Sequence, residues 1–185
     1  MENKVKWNVS TKVEKYNSHK AFLNGEISEV KIFDGNMLLD VGVTDLWNLV
    51  IGANNQSSTI ENYDNDHSYL GVGDSTTAAL KAHTGLLATT NVWYKKMDTS
   101  YPAVNGNKVT FKATFTGTGS GGSAEAAFAW EEWTVARGVI TPSGTLDDTA
   151  TIATNIHKNL NRKVEAMGTK AGAATWVITV EISLT

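Results

Sequence analysis

The chain contains no cysteine and only two prolines in 185 residues, and each scarcity removes a class of protein. Without cysteine there is no disulfide framework, no thiolate nucleophile and no cysteine-based zinc site. Stability must come from packing or from assembly. Two prolines, Pro102 and Pro142, against 16 glycines and many threonines argue for a strand-rich domain rather than a disordered tail. A basic excess is missing too: 16 basic residues against 19 acidic leave a net charge of -3, whereas counterion release on nucleic acid requires a basic field. Nucleic acid is therefore not an expected partner. No apolar run approaches the roughly 18 residues of a membrane span, and Met1-Glu2-Asn3-Lys4 leads into alternating residues rather than an apolar signal core. Neither a membrane nor an export signal is expected.

Motifs for chemistry are equally sparse. The stretch Ser68 to Ala79 imitates a phosphate loop, but Asp74 follows Gly73 where the P-loop carries lysine, and a carboxylate there repels phosphate. The same stretch predicts a strand, Tyr69 to Val72, a turn at Gly73-Asp74, and Ser75 or Thr76 capping a helical turn of Ala78, Ala79 and Leu80. Asp64, Asp66 and His67, with Asn62 and Asp74, crowd oxygen ligands as a calcium site would, yet the glycine of the EF-hand loop is absent. A solvated acidic loop is the plainer expectation, and no metal is assigned. The four histidines, His19, His67, His83 and His157, form no H-x-x-x-H pair. Glu131 and Glu132 between Trp130 and Trp133 suggest a glycosidase, but neighbouring strand residues point to opposite faces and cannot flank one sugar. No G-x-S-x-G elbow activates a serine. No catalytic residue and no cofactor is predicted.

What the sequence has in abundance is alternation. Val5, Trp7, Val9, Thr11 and Val13 fall on one face of a strand whose other face is polar. Asn24-Gly25 signals a turn before a second extended stretch, Glu26 to Phe33, closed by Asp34-Gly35-Asn36, so residues 1–36 read as a β-ribbon or arm on a main domain of residues 37–185. Thr44 or Asp45 caps a short helix, Leu46 to Ile51, so apolar that it is expected to be a buried plug stopped by Gly52. Ala53 to His67 reads as a surface loop. Leu80 to Ala88 has no clear period. Val92 to Met97 reads as a strand with Trp93 and Tyr94 on opposite faces.

Asn105-Gly106-Asn107 introduces the best internal strand, Val109 to Thr116, and Gly117 to Ser123 is a flexible connection. Trp130 and Trp133 are oddly spaced for a flat strand, which calls for a bulge around Glu131-Glu132 or a turn of helix. Gly138 to Thr154 reads as a long loop, Asn159 to Ala166 as a strand, Gly168 to Gly172 as a turn, and Trp176 to Leu184 as a core strand. Seven or more short strands predict an all-β fold, an antiparallel sandwich or jelly-roll-like domain with an N-terminal ribbon and one short buried helix.

The order of these pieces resembles a family of tailed-bacteriophage structural proteins. The likeness runs through Gly35-Asn36-Met37-Leu38-Leu39, Leu46-Trp47-Asn48-Leu49-Val50-Ile51-Gly52, Tyr69 to Ala79, Asn107 to Phe115, Ala129-Trp130-Glu131-Glu132-Trp133, Leu160 to Val164, Gly168-Thr169-Lys170 and Trp176 to Val180. It covers most of residues 5–184, and the inserts 53–67 and 138–154 depart from it. The resemblance implies a virion component without catalysis, most like a capsid decoration or cement protein that binds the major capsid protein on the outside of the shell as a homotrimer. Val5, Trp7, Val9 and Val13 are the candidate interaction residues, on the premise that this strand is an open edge able to join a neighbour's sheet; the other reading pairs it within its own domain. A tail baseplate or fibre adaptor is the first alternative. A carbohydrate-binding module with Trp133 as a stacking platform is the second.

Overall fold

The computed structural model describes residues 6–52, 62–141, 143–147 and 149–185. Val5, most of the expected 53–67 loop, Pro142 and Asp148 lie outside them. In chain order the elements are β1 (Trp7–Tyr16), α1 (His19–Leu23), β2 (Glu29–Asp34), β3 (Met37–Leu38), α2 (Asp40–Val50), β4 (Ser68–Gly73), β5 (Val92–Lys96), β6 (Ala103–Asn105), β7 (Lys108–Phe115), β8 (Ala129–Gly138), β9 (Thr145–Leu146), α3 (Thr149–Asn155), β10 (Ile156–Asn159), β11 (Asn161–Thr169) and β12 (Thr175–Leu184). Two antiparallel sheets result. The first runs β2-β1-β12-β7-β6, and the second runs β3-β11-β8-β4-β5-β9 with β10 also on β8. The expected antiparallel, all-β sandwich is what the chain forms.

The alternation of β1, β7 and β12 builds the core. Val9 and Val13, Phe111, Ala113 and Phe115, and Ile178, Val180 and Ile182 meet Leu70, Val72, Trp133 and Val135 from the facing sheet in one buried cluster. Trp130 stands edge-on to Phe115 and to Trp176, ring centroids 4.8 and 5.0 Å apart, the arrangement favoured by the ring quadrupoles. The irregularity called for by the tryptophan spacing exists, but on the neighbouring strand. Pairing of β11 with β8 jumps from Val164↔Glu132 to Gly168↔Trp130, so Glu165, Ala166 and Met167 face Glu131 alone. Such a bulge sharpens local twist, and both tryptophans end fully buried.

The second sheet is covered on its outer face as well. Tyr69, Val92, Tyr94, Ala136 and Leu146 form a smaller core there with Leu86, Ala88, Ile152 and Ile156. Several local expectations change in consequence. Residues 74–80 form no helical turn; Ser75 Oγ only accepts from Thr77 N–H at 3.3 Å. The 138–154 excursion carries β9 and α3 rather than a plain loop, and α1, capped by Ser18 Oγ on Ala21 N–H, was not foreseen.

The largest correction concerns the plug helix. It starts at Asp40, not at Thr44 or Asp45, and it is not buried: Trp47, Val50 and Ile51 are 61, 74 and 71 % exposed. Nor is β1 an arm. It hydrogen-bonds along its length to β12 from Trp7↔Leu184 to Tyr16↔Thr175 and along its other side to β2, so it sits inside the sheet that the C-terminal strand completes.

Candidate functional site

The candidate interaction strand has no open edge. Val9 and Val13 are core residues, 4 and 0 % exposed, and Val5 lies outside the described residues. Trp7 alone approaches the surface, its Nε1 donating to Asn36 Oδ1 at 2.8 Å. The pairing on both sides of β1 removes the premise of a β1 clamp, because strand addition needs unpaired backbone groups. Trp133, the proposed sugar platform, is fully buried and offers no ring face.

What Trp7 does reach is an apolar pocket of about 440 Å³ at one end of the sandwich, bounded by Leu46, Tyr63, Val109, Phe111 and Leu160. α2 forms its rim, and the way α2 is held explains why apolar residues stay outside. Leu39 N–H donates to Leu160 C=O at 3.1 Å where the helix begins. One turn on, a Cβ added to Gly42 would lie 2.1 Å from Leu160 O, so only glycine allows this approach of helix to strand.

Asp45 then turns inward. Its Oδ2 accepts from Arg137 Nε at 2.7 Å and its Oδ1 from Arg137 Nη2 at 2.6 Å, a planar two-bond match that fixes direction as well as distance. Tyr63 Oη donates to the same carboxylate at 3.3 Å. Burial, and then the negative Asp45, push the Tyr63 hydroxyl far above the ordinary tyrosine range. Helical spacing follows from these anchors. With Gly42, Asp45 and Leu46 directed at the body, positions 43, 47 and 50 form the stripe on the other side. Val43, Trp47 and Val50 occupy it, with Ile51 just beyond. An apolar stripe of this kind normally marks a helix buried all round.

A second cluster is polar and closed. Glu132 and Arg162 are both fully buried and pair through Oε2 and Nε at 2.5 Å. Glu132 also accepts from Leu87 N–H and Ala88 N–H at 3.0 and 2.7 Å. Arg162 reaches Thr77 C=O at 2.9 Å and His83 Nδ1 at 3.1 Å. Asn159 adds bonds to Tyr94 Oη and Thr84 C=O. These bonds strap residues 77–88 across the outer face of the second sheet. Burial, and then the charge of Glu132, raise the Tyr94 hydroxyl above its usual range. Glu132 is thus a buried anchor for the strap. Strap backbone, His83 and Asn159 supply most of the partners of this network.

Elsewhere, Lys170 is 1 % exposed, with Nζ donating to Glu125 C=O at 2.8 Å and Thr116 C=O at 3.2 Å. Burial draws its ammonium down to about 8 against the opposing pull of Glu125. Asp64 accepts from His67 Nδ1 and Asp66 N–H, while Asp74 pairs with Asn91; among the described residues no three such groups converge as a metal site. No described helix is long and apolar enough to cross a membrane.

The sequence pointed to Trp7 and named the apolar helix, but it did not place them at one end of the molecule. The signal for that was Asp45, an acid in a run of Leu, Trp and Val, whose partner Arg137 stands 92 residues away. Comparison with protein-family models, with curated proteins and with solved structures finds no match to this chain.

Proposed function

We propose that this protein is a non-catalytic virion component, a capsid decoration protein that docks on the outside of the major capsid protein and bridges neighbouring subunits. The observation that carries the reading is the outer stripe of α2, Trp47, Val50 and Ile51, standing exposed beside an apolar pocket. Exposed tryptophan flanked by aliphatic groups is the composition of a binding hot spot, and the helix is held rigidly from behind by Asp45 and Arg137, so little ordering cost falls on the contact. The order of strand and turn motifs, which resembles phage structural proteins, supplies the kind of partner. A shell presents the same contact many times over, and modest contacts engaged together hold through effective concentration.

The test is binding to shells that lack the protein. Trp47→Ser and Val50→Ser remove exposed hydrocarbon, so the folded state persists while binding falls about thirtyfold or more, as for loss of a hot-spot tryptophan. Full binding by a folded double variant overturns the docking surface. Micrographs of particles carrying labelled protein separate the capsid from the tail: many copies over the faces are expected, and a few copies at one vertex place it in a tail adaptor instead.

A further inference from the structure

Edge strands invite pairing, and natural sheets keep them short or blunted. Among the described residues the outermost strands β6, β3 and β9 obey, with three residues in β6 and two each in β3 and β9. At the outer side of the first sheet β2 has six, with neither proline nor glycine. Its outward-facing Val30 and Ile32 are 46 and 66 % exposed, and Ile27 and Leu23 beside it are 46 and 70 % exposed. The bond from Gly35 N–H to Val9 C=O at 2.8 Å fixes the phase of the ladder with β1. Bonded pairs alternate along an antiparallel ladder, so residues 29, 31 and 33 spend their backbone groups on β1, and Val30, Ile32 and Asp34 direct theirs away from the sheet.

We propose that β2 is the contact for a second copy of this chain, in an antiparallel pair about a two-fold axis at Val30. Charge favours that register over its neighbours, and an axis at Glu29 would set Glu29 against itself. An axis at Lys31 sets Lys31 against itself, which is repulsive. An axis at Ile32 sets Lys31 against Phe33 and Val30 against Asp34, whose carbonyl already accepts from Lys163 Nζ at 3.0 Å.

The axis at Val30 places Glu29 opposite Lys31 of the second copy, and Lys31 opposite its Glu29. Val30 then exchanges both backbone bonds with its symmetry mate. Ile32 N–H meets Ser28 C=O of the second copy on each side, and the five-stranded sheet continues into its twin. This is an isologous contact that closes at two copies. It leaves the α2 stripe untouched, so it stands or falls separately from shell docking.

The absence of cysteine makes the test clean. Directly opposed residues of a bonded antiparallel pair lie about 5.5 Å apart between Cα atoms, within disulfide reach. Val30→Cys is expected to oxidise to a covalent dimer. Ile32→Cys is not, because its mates sit four positions out of register, roughly 13 Å apart along the strand. Sedimentation of the unmodified full chain over a wide concentration range is expected to show a monomer–dimer equilibrium. Lys31→Glu, which opposes Glu29 with a second carboxylate, weakens it about tenfold or more. A monomer at every concentration, a trimer, or cross-linking by Ile32→Cys and not by Val30→Cys overturns the proposal.

Discussion

Two regions of the molecule treat polarity in opposite ways. Under the 77–88 strap, charge is buried and paired: Glu132 and Arg162 have no exposed surface, and they bond further to strap backbone and to the His83 side chain. Along α2, hydrocarbon is exposed: Trp47, Val50 and Ile51 face solvent although the helix is anchored from behind by a buried ion pair. On the strap side the buried charges of Glu132 and Arg162 find their partners within one chain. The α2 side is built to the same rigidity and then left uncovered, which is the pattern of a surface made for something else.

The buried polar end is the more fragile of the two. Arg162→Met leaves Glu132 buried without its counter-charge, and urea unfolding should report a loss of about 3–5 kcal/mol. Rescue by Glu132→Gln in the same chain would show that the stranded charge, not lost packing, is responsible.

A second change tests buried charge by pH. Lys170 has its ammonium drawn from 10.5 down to about 8 in the folded state, so between those values the unfolded chain binds more protons than the folded one. Stability contributed through Lys170 therefore rises as pH climbs from about 8 towards 10.5, by up to about 3 kcal/mol. Lys170→Met removes that rise, as the difference between the two unfolding curves at pH 7.5 and 9.5 would show. Above about pH 10 the curve turns down in both proteins, because the raised hydroxyls of Tyr63 and Tyr94 hold protons that the unfolded chain releases.

At the α2 end the effects shrink. Gly42→Ala drives a methyl against Leu160 C=O and should cost about 1–3 kcal/mol as the helix shifts off the strand, measured by urea unfolding. Trp47→Ser itself should change the unfolding free energy by less than about 0.5 kcal/mol. A near-zero value would mean that a tryptophan so costly to expose stabilises nothing in the isolated chain.

The sandwich was legible where one sheet face is wet. β1, β7 and β12 alternate where their outer faces meet water, and the pattern holds over residues 9–13, 111–115 and 178–182, fading at Lys15 and Tyr16 and at residues 175–177, where both faces are covered. The second sheet is covered on both faces, so alternation fades there, and residues 80–88 showed no period because side chains of Glu132, Arg162 and Asn159 hold them rather than a ladder. Periodicity also says nothing of strand order. The polar and apolar faces of β1 look the same whether it lies at an edge or between β2 and β12, which is why Val9 and Val13 read as a clamp and proved to be core. The buried plug was a sound reading of Leu46 to Ile51 taken alone. Asp45, drawn inward by Arg137, chose which side of the helix faces out.

Docking through α2 can be read by hydroxyl-radical footprinting of the protein free in solution and bound to capsid shells. Docking through α2 predicts that oxidation of Trp47 falls severalfold on binding while exposed Leu23, at the far end of the first sheet, loses little. Equal oxidation of Trp47 in the two states would contradict it.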